Sequence, residues 1–242
     1  MLRLLIDAGN TNIKIQQVEG DRCQPVSVLP VIRACELEAF FPAAGLVCEV
    51  WVSNVAGSVL GERIRLLCAA RGCKVTFIAS QAAQCGVHNN YAQPLSLGTD
   101  RWASLIAAWS LQRRTCLVVG SGTATTIDAL SDRGEFLGGL ILPGIALMQQ
   151  ALAGATAQLQ VAGGKYVSFP LNTADAMFSG ALQATYGAIR LQYARLAADD
   201  AQVLLCGGAA RLLSEHLNVP LQIQDNLVLQ GLLIIARERG GA

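Results

Sequence analysis

Apolar residues fall in short runs divided by turn-forming residues, and the runs come in an order that repeats once along the chain. Residues 2–19 place two apolar strands, RLLID and IKIQQV, around the polar turn AGNTN. Ile13, Ile15 and Val18 are the apolar positions of the second strand, and EGDR at 19–22 turns the chain again. VSVLPVI predicts a third strand and ACELEAFFPAA a helix after it. EVWVSNV (49–55) predicts a buried strand. SVLGERIRLLCAARG (58–72) predicts a helix, with Leu60, Ile64 and Leu67 at helical spacing and Gly72 as its stop. KVTFIAS adds a short strand. NNYAQPLSLGTD (89–100) is a loop that leads into RWASLIAAWSLQRR, where Trp102, Leu105, Ile106 and Trp109 follow i, i+3, i+4, i+7. Thr99 is expected as the N-cap of that helix, with Asp100 in its first turn.

From about residue 115 the order starts again. CLVVGSGTATTIDALSDRGEFLGGLILPG repeats the strand-turn-strand-turn-strand order of residues 2–33, and Gly120 lies 113 residues after its counterpart Asp7. Helices are predicted at 144–158 and 172–198, VLLCGG (203–208) as a strand entering a glycine turn, and AARLLSEHL as the next helix. LQIQ and NLVLQGLLIIARER form the last strand-helix pair. Two such halves imply duplication. The expected fold class is α/β with two duplicated domains, over 1–115 and 116–242.

Composition narrows the function classes. Hydrophobic residues make up 52% of the 242 and charged residues 14%, so the chain has the apolar content for a sizeable core. A net charge of +1 favours neither nucleic acid nor an anionic membrane as partner. None of the eight cysteines has C-x-x-C spacing, and two histidines add little to a zinc site. Leu4-Leu5-Ile6 is too short for a signal-peptide core, and the 12-residue tract LGGLILPGIALM is too short for a membrane span and contains Pro143. The expectation is a cytoplasmic protein with reduced cysteines.

Four stretches carry candidate chemistry. In DAGNTNIK, a turn after a buried strand exposes backbone N–H groups to a polyanion. Gly9 allows close approach, Asn10 lies in the turn, Thr11 can donate to phosphate, and Lys14 adds positive charge. Asp7 at the strand end could hold a hydrated Mg²⁺. Taken alone, the stretch reads equally as a hairpin with an Asx turn. GSGTATTID repeats the outline, with Gly122 and Thr123 at the phosphate-facing positions. Thr125 and Thr126 suit a strand, and Asp128 is expected as a solvated turn carboxylate. LCGGAA (205–210) ends a strand in two glycines, which would let a flat group lie on the backbone or would simply make a turn. In LGTDRW (97–102), a helix N-terminus and Arg101 favour an anion, and Arg grips a carboxylate in a planar fork. Carboxylates are charged at neutral pH, so Asp100 can accept a proton from a hydroxyl. The same pair could be a helix-start acid beside a surface arginine.

DAGNTNIK, LGTDRW, SGTATTID and NTADAMFSG, in this order and spacing, resemble the type III pantothenate kinase family over nearly the whole chain. The resemblance implies two duplicated ribonuclease-H-like domains of the actin-like ATPase and sugar kinase superfamily, with a nucleotide cleft between them. It implies ATP and Mg²⁺ as cofactors and pantothenate as substrate, phosphorylated on its primary alcohol in the first step of coenzyme A synthesis. Asp7, Gly9, Asn10, Thr11, Lys14, Gly122 and Thr123 would bind phosphate. Asp100 would be the general base. Tyr91, Gly98, Thr99, Arg101 and Thr173 would bind pantothenate beside it, and the LCGGAA turn would meet adenosine. Family members are homodimers, and the Ala-rich helices around 144–198 are the expected interface.

One position departs from the family. The acid that ligates a monovalent cation, K⁺ or NH₄⁺, is replaced by Gly120, which has no side-chain oxygen. Ser121, water and backbone carbonyls remain as oxygen sources, and losing a charged ligand weakens a hard-cation site. Two other functions compete with pantothenate phosphorylation. One is a kinase for another small carboxylate or a sugar; the other is a nucleotide-binding accessory factor for transcription.

Overall fold

The computed structural model describes residues 2–155 and 163–240. The chain divides into two compact units, Met1–Leu111 with Asn226–Ala242, and Gln112–Asp225.

In the first unit, β1 (Leu2–Ala8) pairs antiparallel with β2 (Asn12–Glu19) and parallel with β5 (Cys48–Asn54), which in turn pairs parallel with β6 (Lys74–Phe77). The short strands β3 (Arg22–Cys23) and β4 (Ser27–Pro30) both lie on the outer edge of β2, at opposite ends of it. The third strand therefore stops at Pro30. A 3₁₀ helix, Val31–Phe40, follows with a kink at Arg33, where a regular helix over ACELEAFFPAA was expected. Alternation along the central strands sorts their side chains between two faces. Leu4, Ile6, Ala8, Val50 and Val52 share a core with Leu60, Ile64 and Cys68 of helix α1 (Ser58–Arg71). The other face carries Leu5, Asp7, Trp51 and Ser53. With helices over both faces the strands read as nearly continuous apolar runs. The hairpin β7 (Ala83–Gln84) and β8 (Val87–Asn89) follows, and helix α2 (Thr99–Gln112) is pinned to it by Trp102 Nε1 donating to Gln84 Oε1 at 3.1 Å.

The second unit repeats this plan. β9 (Cys116–Ser121) pairs antiparallel with β10 (Ala124–Leu130) and parallel with β12 (Gln202–Cys206), which pairs parallel with β13 (Leu221–Ile223). β11 (Glu135–Pro143) lies on the outer edge of β10, as β4 does on β2. The duplicated outline in the sequence is thus a duplicated strand order. Helix α3 (Ile145–Ala155) is the helix expected over 144–158; positions 156–158 lie outside the described residues. α4 (Thr173–Leu196) and α5 (Ala210–Ser214) cover Leu117, Val119, Ile127, Val203 and Leu205 with Leu182, Ile189 and Leu213.

The expected boundary, 116–242 as one domain, differs from the observed division in its last element. Helix α6 (Leu227–Gly240) belongs to the first unit. Its buried face of Leu229, Leu232, Ile235 and Ala236 packs on β1 and β5, and Gly231 brings its backbone against that of Ala103 in α2. Burial of Leu229, Leu232 and Ile235, about 1.5–3 kcal/mol each, outweighs closeness in sequence. Among the described residues no helix is long and apolar enough to cross a membrane.

Candidate active site

In the first unit the site is built on the C-terminal ends of β1 and β5. Asp7 stands opposite Lys14 on β2 and Ser53 on β5, so the three side chains form one row on one face of the sheet. The β1–β2 turn closes with Gly9 N–H donating to Asn12 O at 3.1 Å, which leaves Asn10 and Thr11 exposed at its tip. Next to the row is the first turn of α2. Ser53, fully buried, places its hydroxyl 2.9 Å from that of Thr99.

Thr99 is therefore not the cap expected from the sequence. Trp102 N–H donates to Gly98 O at 3.0 Å, so the Gly98 carbonyl starts the helical ladder and Thr99 lies inside the first turn. Its hydroxyl is engaged across the sheet. Asp100 follows, its Oδ1 accepting from Arg101 N–H at 2.8 Å. A side chain at Gly98 would collide with Asp100 Oδ1, 2.6 Å from the added carbon, so glycine keeps this carboxylate's place open. Burial pushes the Asp7 carboxyl up to about 7, with Lys14 pulling it down and the neighbouring Asp100 carboxylate raising it further. Carboxylate oxygens are hard donors, and Asp7 at the strand end beside the exposed turn fits a hydrated Mg²⁺.

Arg101 is buried to 6% exposure and donates from Nη1 to Tyr91 Oη at 3.0 Å, with its guanidinium 5.7 Å from the Tyr91 ring centroid. Tyr91 and Arg101, ten positions apart, thus meet as one hydrogen-bonded pair. The loop between them is braced by Asn89, which sequence reading passed over. Its Oδ1 accepts from Tyr91 N–H at 3.1 Å and its Nδ2 donates to Pro94 O at 3.1 Å.

In the second unit the corresponding row runs Thr126–Gly120–Cys206 across β10, β9 and β12. A neutral row stands where the first unit has Lys14–Asp7–Ser53. A carbon added at Gly120 would lie 3.1 Å from Thr126 Oγ1 and 3.8 Å from Cys206 Sγ. The β9–β10 turn closes with Gly122 N–H donating to Ala124 O at 3.0 Å, leaving Gly122 and Thr123 exposed as the first turn leaves Asn10 and Thr11. Gly144 N–H donates to Thr123 O at 2.8 Å, and any side chain at 144 would overlap the Gly122 and Thr123 carbonyls. Gly207, at φ +96°, folds the LCGGAA turn against the Ser121 backbone. Neither constraint is visible in the sequence beyond the glycine itself.

One expectation changes here. Asp128 is not a solvated turn residue: it sits inside β10 and is 1% exposed. Thr173 is exposed at the start of α4, and the cap is Asn172, whose side chain accepts from Asp175 N–H at 2.9 Å. Asp175 in turn accepts from Asn172 Nδ2 at 2.8 Å and Lys165 N–H at 2.9 Å. The place of Thr173 is set by this cap.

Two duplicated α/β units, each with a glycine-threonine hairpin turn at the end of its first strand, have the fold class of actin-like ATPases and sugar kinases. Solved structures agree on the fold. A Campylobacter jejuni protein described as a Baf family transcriptional activator superposes with a TM-score of 0.68 at 22% identity, covering 99% of this chain and 100% of that one. MreB5 of Spiroplasma citri bound to ADP gives 0.53 at 8% identity, covering 98% of this chain and 97% of that one. The model of the type III pantothenate kinase family matches residues 3–195. A type III pantothenate kinase of Nitrosospira multiformis is 44% identical over 240 residues, 98% of this chain and 92% of that protein. The chain belongs to the type III pantothenate kinase family.

Proposed function

We propose that this kinase transfers the γ-phosphoryl group of ATP to the primary alcohol of pantothenate, with Asp100 as the general base. The alcohol oxygen bonds to the γ-phosphorus, the bond from that phosphorus to the β–γ bridging oxygen breaks, and the alcohol proton passes to the Asp100 carboxylate. Phosphoryl transfer has a loose transition state, so positioning and charge matter more than base strength. The exposed turns, with Gly9, Asn10 and Thr11 in one and Gly122 and Thr123 in the other, would contact the triphosphate, Lys14 would add charge, and Asp7 would hold Mg²⁺ through water. That ion, when bound, neutralises charge on the phosphates. The buried Arg101, steadied by Tyr91, would grip the pantothenate carboxylate, with Gly98 and Thr99 offering backbone donors and Thr173 a further hydroxyl.

The observation that carries this reading is that the Lys14–Asp7–Ser53 row is joined, through the Ser53–Thr99 hydrogen bond, to the helix turn that bears Asp100 and the buried Arg101. The row containing Gly120 has no acid, and we extend the reading to weak or absent monovalent-cation binding there. Exposed Leu147 and Leu152 of α3, Leu191 of α4, and Leu137 and Ile141 of β11 support a homodimer through this surface. The test is to incubate the protein with ATP, Mg²⁺ and pantothenate, with and without K⁺, and weigh the product. A gain of one phosphate on pantothenate is expected in both conditions. No product from folded protein would overturn the reading. Light scattering across a dilution series tests the dimer.

A further inference from the structure

Ser53 lies in the middle of an apolar stretch, WVSNV, and nothing in its sequence context marks it. The fold gives it an unusual position. It is fully buried, pairs in register with Asp7 on the adjacent strand, and hydrogen-bonds the hydroxyl of Thr99 at 2.9 Å, 46 residues away. Thr99 directly precedes Asp100. The first turn of a helix has no internal partner for its early N–H groups and frays easily unless something holds it. Thr99 does not cap this helix, and Gly98, where the ladder begins, has no side chain to do so. The Ser53–Thr99 bond ties this turn to the rigid end of β5. The same row position in the second unit is Cys206, whose thiol is a weak hydrogen-bond partner.

We propose that Ser53 is a positioning residue for phosphoryl transfer: through Thr99 it fixes the first turn of α2 and so sets where the Asp100 carboxylate meets the substrate hydroxyl. Ser53 need not touch substrate. This inference rests on the reading of Asp100 as the base. Removing the tie lets the carboxylate wander, and a misplacement of about 1 Å can cost on the order of a hundredfold in rate. Arg101, the main pantothenate anchor, is held separately by its bond to Tyr91, and the ATP-facing turns lie outside this helix turn, so binding changes little.

The test is steady-state kinetics on Ser53→Ala, Thr99→Val, their double variant, Asp100→Ala, and Ser53→Ala combined with Asp100→Ala. Circular dichroism of each variant checks that it is folded. Ser53→Ala is expected to lower kcat by about tenfold to a hundredfold, with both KM values within about twofold. The Ser53/Thr99 double variant should lose no more than the worse single one, because one bond is broken in each case. On the Asp100→Ala background, Ser53→Ala should cost nothing further in residual rate. A purely structural serine would behave otherwise: its loss would persist without Asp100, or would fall on KM, and either result overturns the proposal. Unchanged kcat in Ser53→Ala also overturns it. If Asp100→Ala itself retains kcat, the base reading has failed instead, and the two failures are told apart by that variant alone.

Discussion

Glycines 207 and 208 are adjacent and look interchangeable in the sequence, yet alanine should destabilise the fold at the first and leave it nearly unchanged at the second. At Gly207 the backbone has φ +96°, outside the range an L side chain readily adopts. A left-handed backbone costs an alanine about 1–2 kcal/mol. The added carbon would also press on the Ser121 backbone, with the carbonyl carbon at 2.8 Å, the nitrogen at 3.0 Å and the carbonyl oxygen closer still. These are backbone atoms of a central strand and cannot swing aside, so overpacking adds about 1–3 kcal/mol. The sum, about 2–5 kcal/mol, corresponds to a fall in melting temperature of roughly 4–20 °C for a chain of this length. At Gly208 nothing lies within 4 Å of the added carbon, and Gly208→Ala should stay within about 0.5 kcal/mol of the parent. Thermal unfolding followed by circular dichroism measures both. Equal melting temperatures for the two variants would refute the reasoning. Gly208→Ala has a functional readout as well: if adenosine lies on this turn, the variant should raise the KM for ATP while its melting temperature holds.

Other predictions follow from the sites described. Arg101→Lys keeps the charge but loses the planar fork, so the KM for pantothenate should rise about tenfold to a hundredfold with that for ATP unchanged; a matching rise for ATP would argue against a carboxylate grip. Replacing K⁺ by tetramethylammonium should leave the rate unaltered, since Gly120 and Thr126 offer no charged ligand, and a large drop would mean other oxygens rebuild the cation site. Asp175 gives a pH dependence of stability. The Lys165 N–H and then the Asn172 amide hold its carboxyl below the ordinary 3.8. Its folded pKa is thus lower than its unfolded one, so its contribution is complete above the unfolded value and is lost as pH falls through the folded value. Melting temperature should therefore fall less on acidification in Asp175→Asn than in the parent, and parallel curves would contradict this.

Much of the fold was legible in the chain because it is set by local pattern. Short apolar runs bounded by turn residues gave the central strands, Gly72 the stop of α1, and the spacing of Trp102, Leu105, Ile106 and Trp109 the helix α2. Repetition of one outline gave the duplication, since two copies of a strand order must share turn chemistry to share a fold. Legible as candidates were Asp7, Lys14, Asp100 and Arg101, charged groups beside glycine turns. Partnership across distance was not legible. Ser53 meets Thr99 across 46 residues, and Cys85 N–H meets Glu238 across 153, through contacts that leave no periodic trace. Asp128 carries a residue type usual at surfaces, and only the pairing of β10 with β9 and β11 buries it. Thr99 and Thr173 both suit an N-cap by type, but the cap belongs to whichever residue the tertiary structure holds outside the first turn, and here that is Gly98 and Asn172. Helix α6 shows the same division of labour. Its presence after the last strand was readable, but which unit it joins was decided by the apolar faces of β1 and β5, because burial energy follows surface in space and not position along the chain.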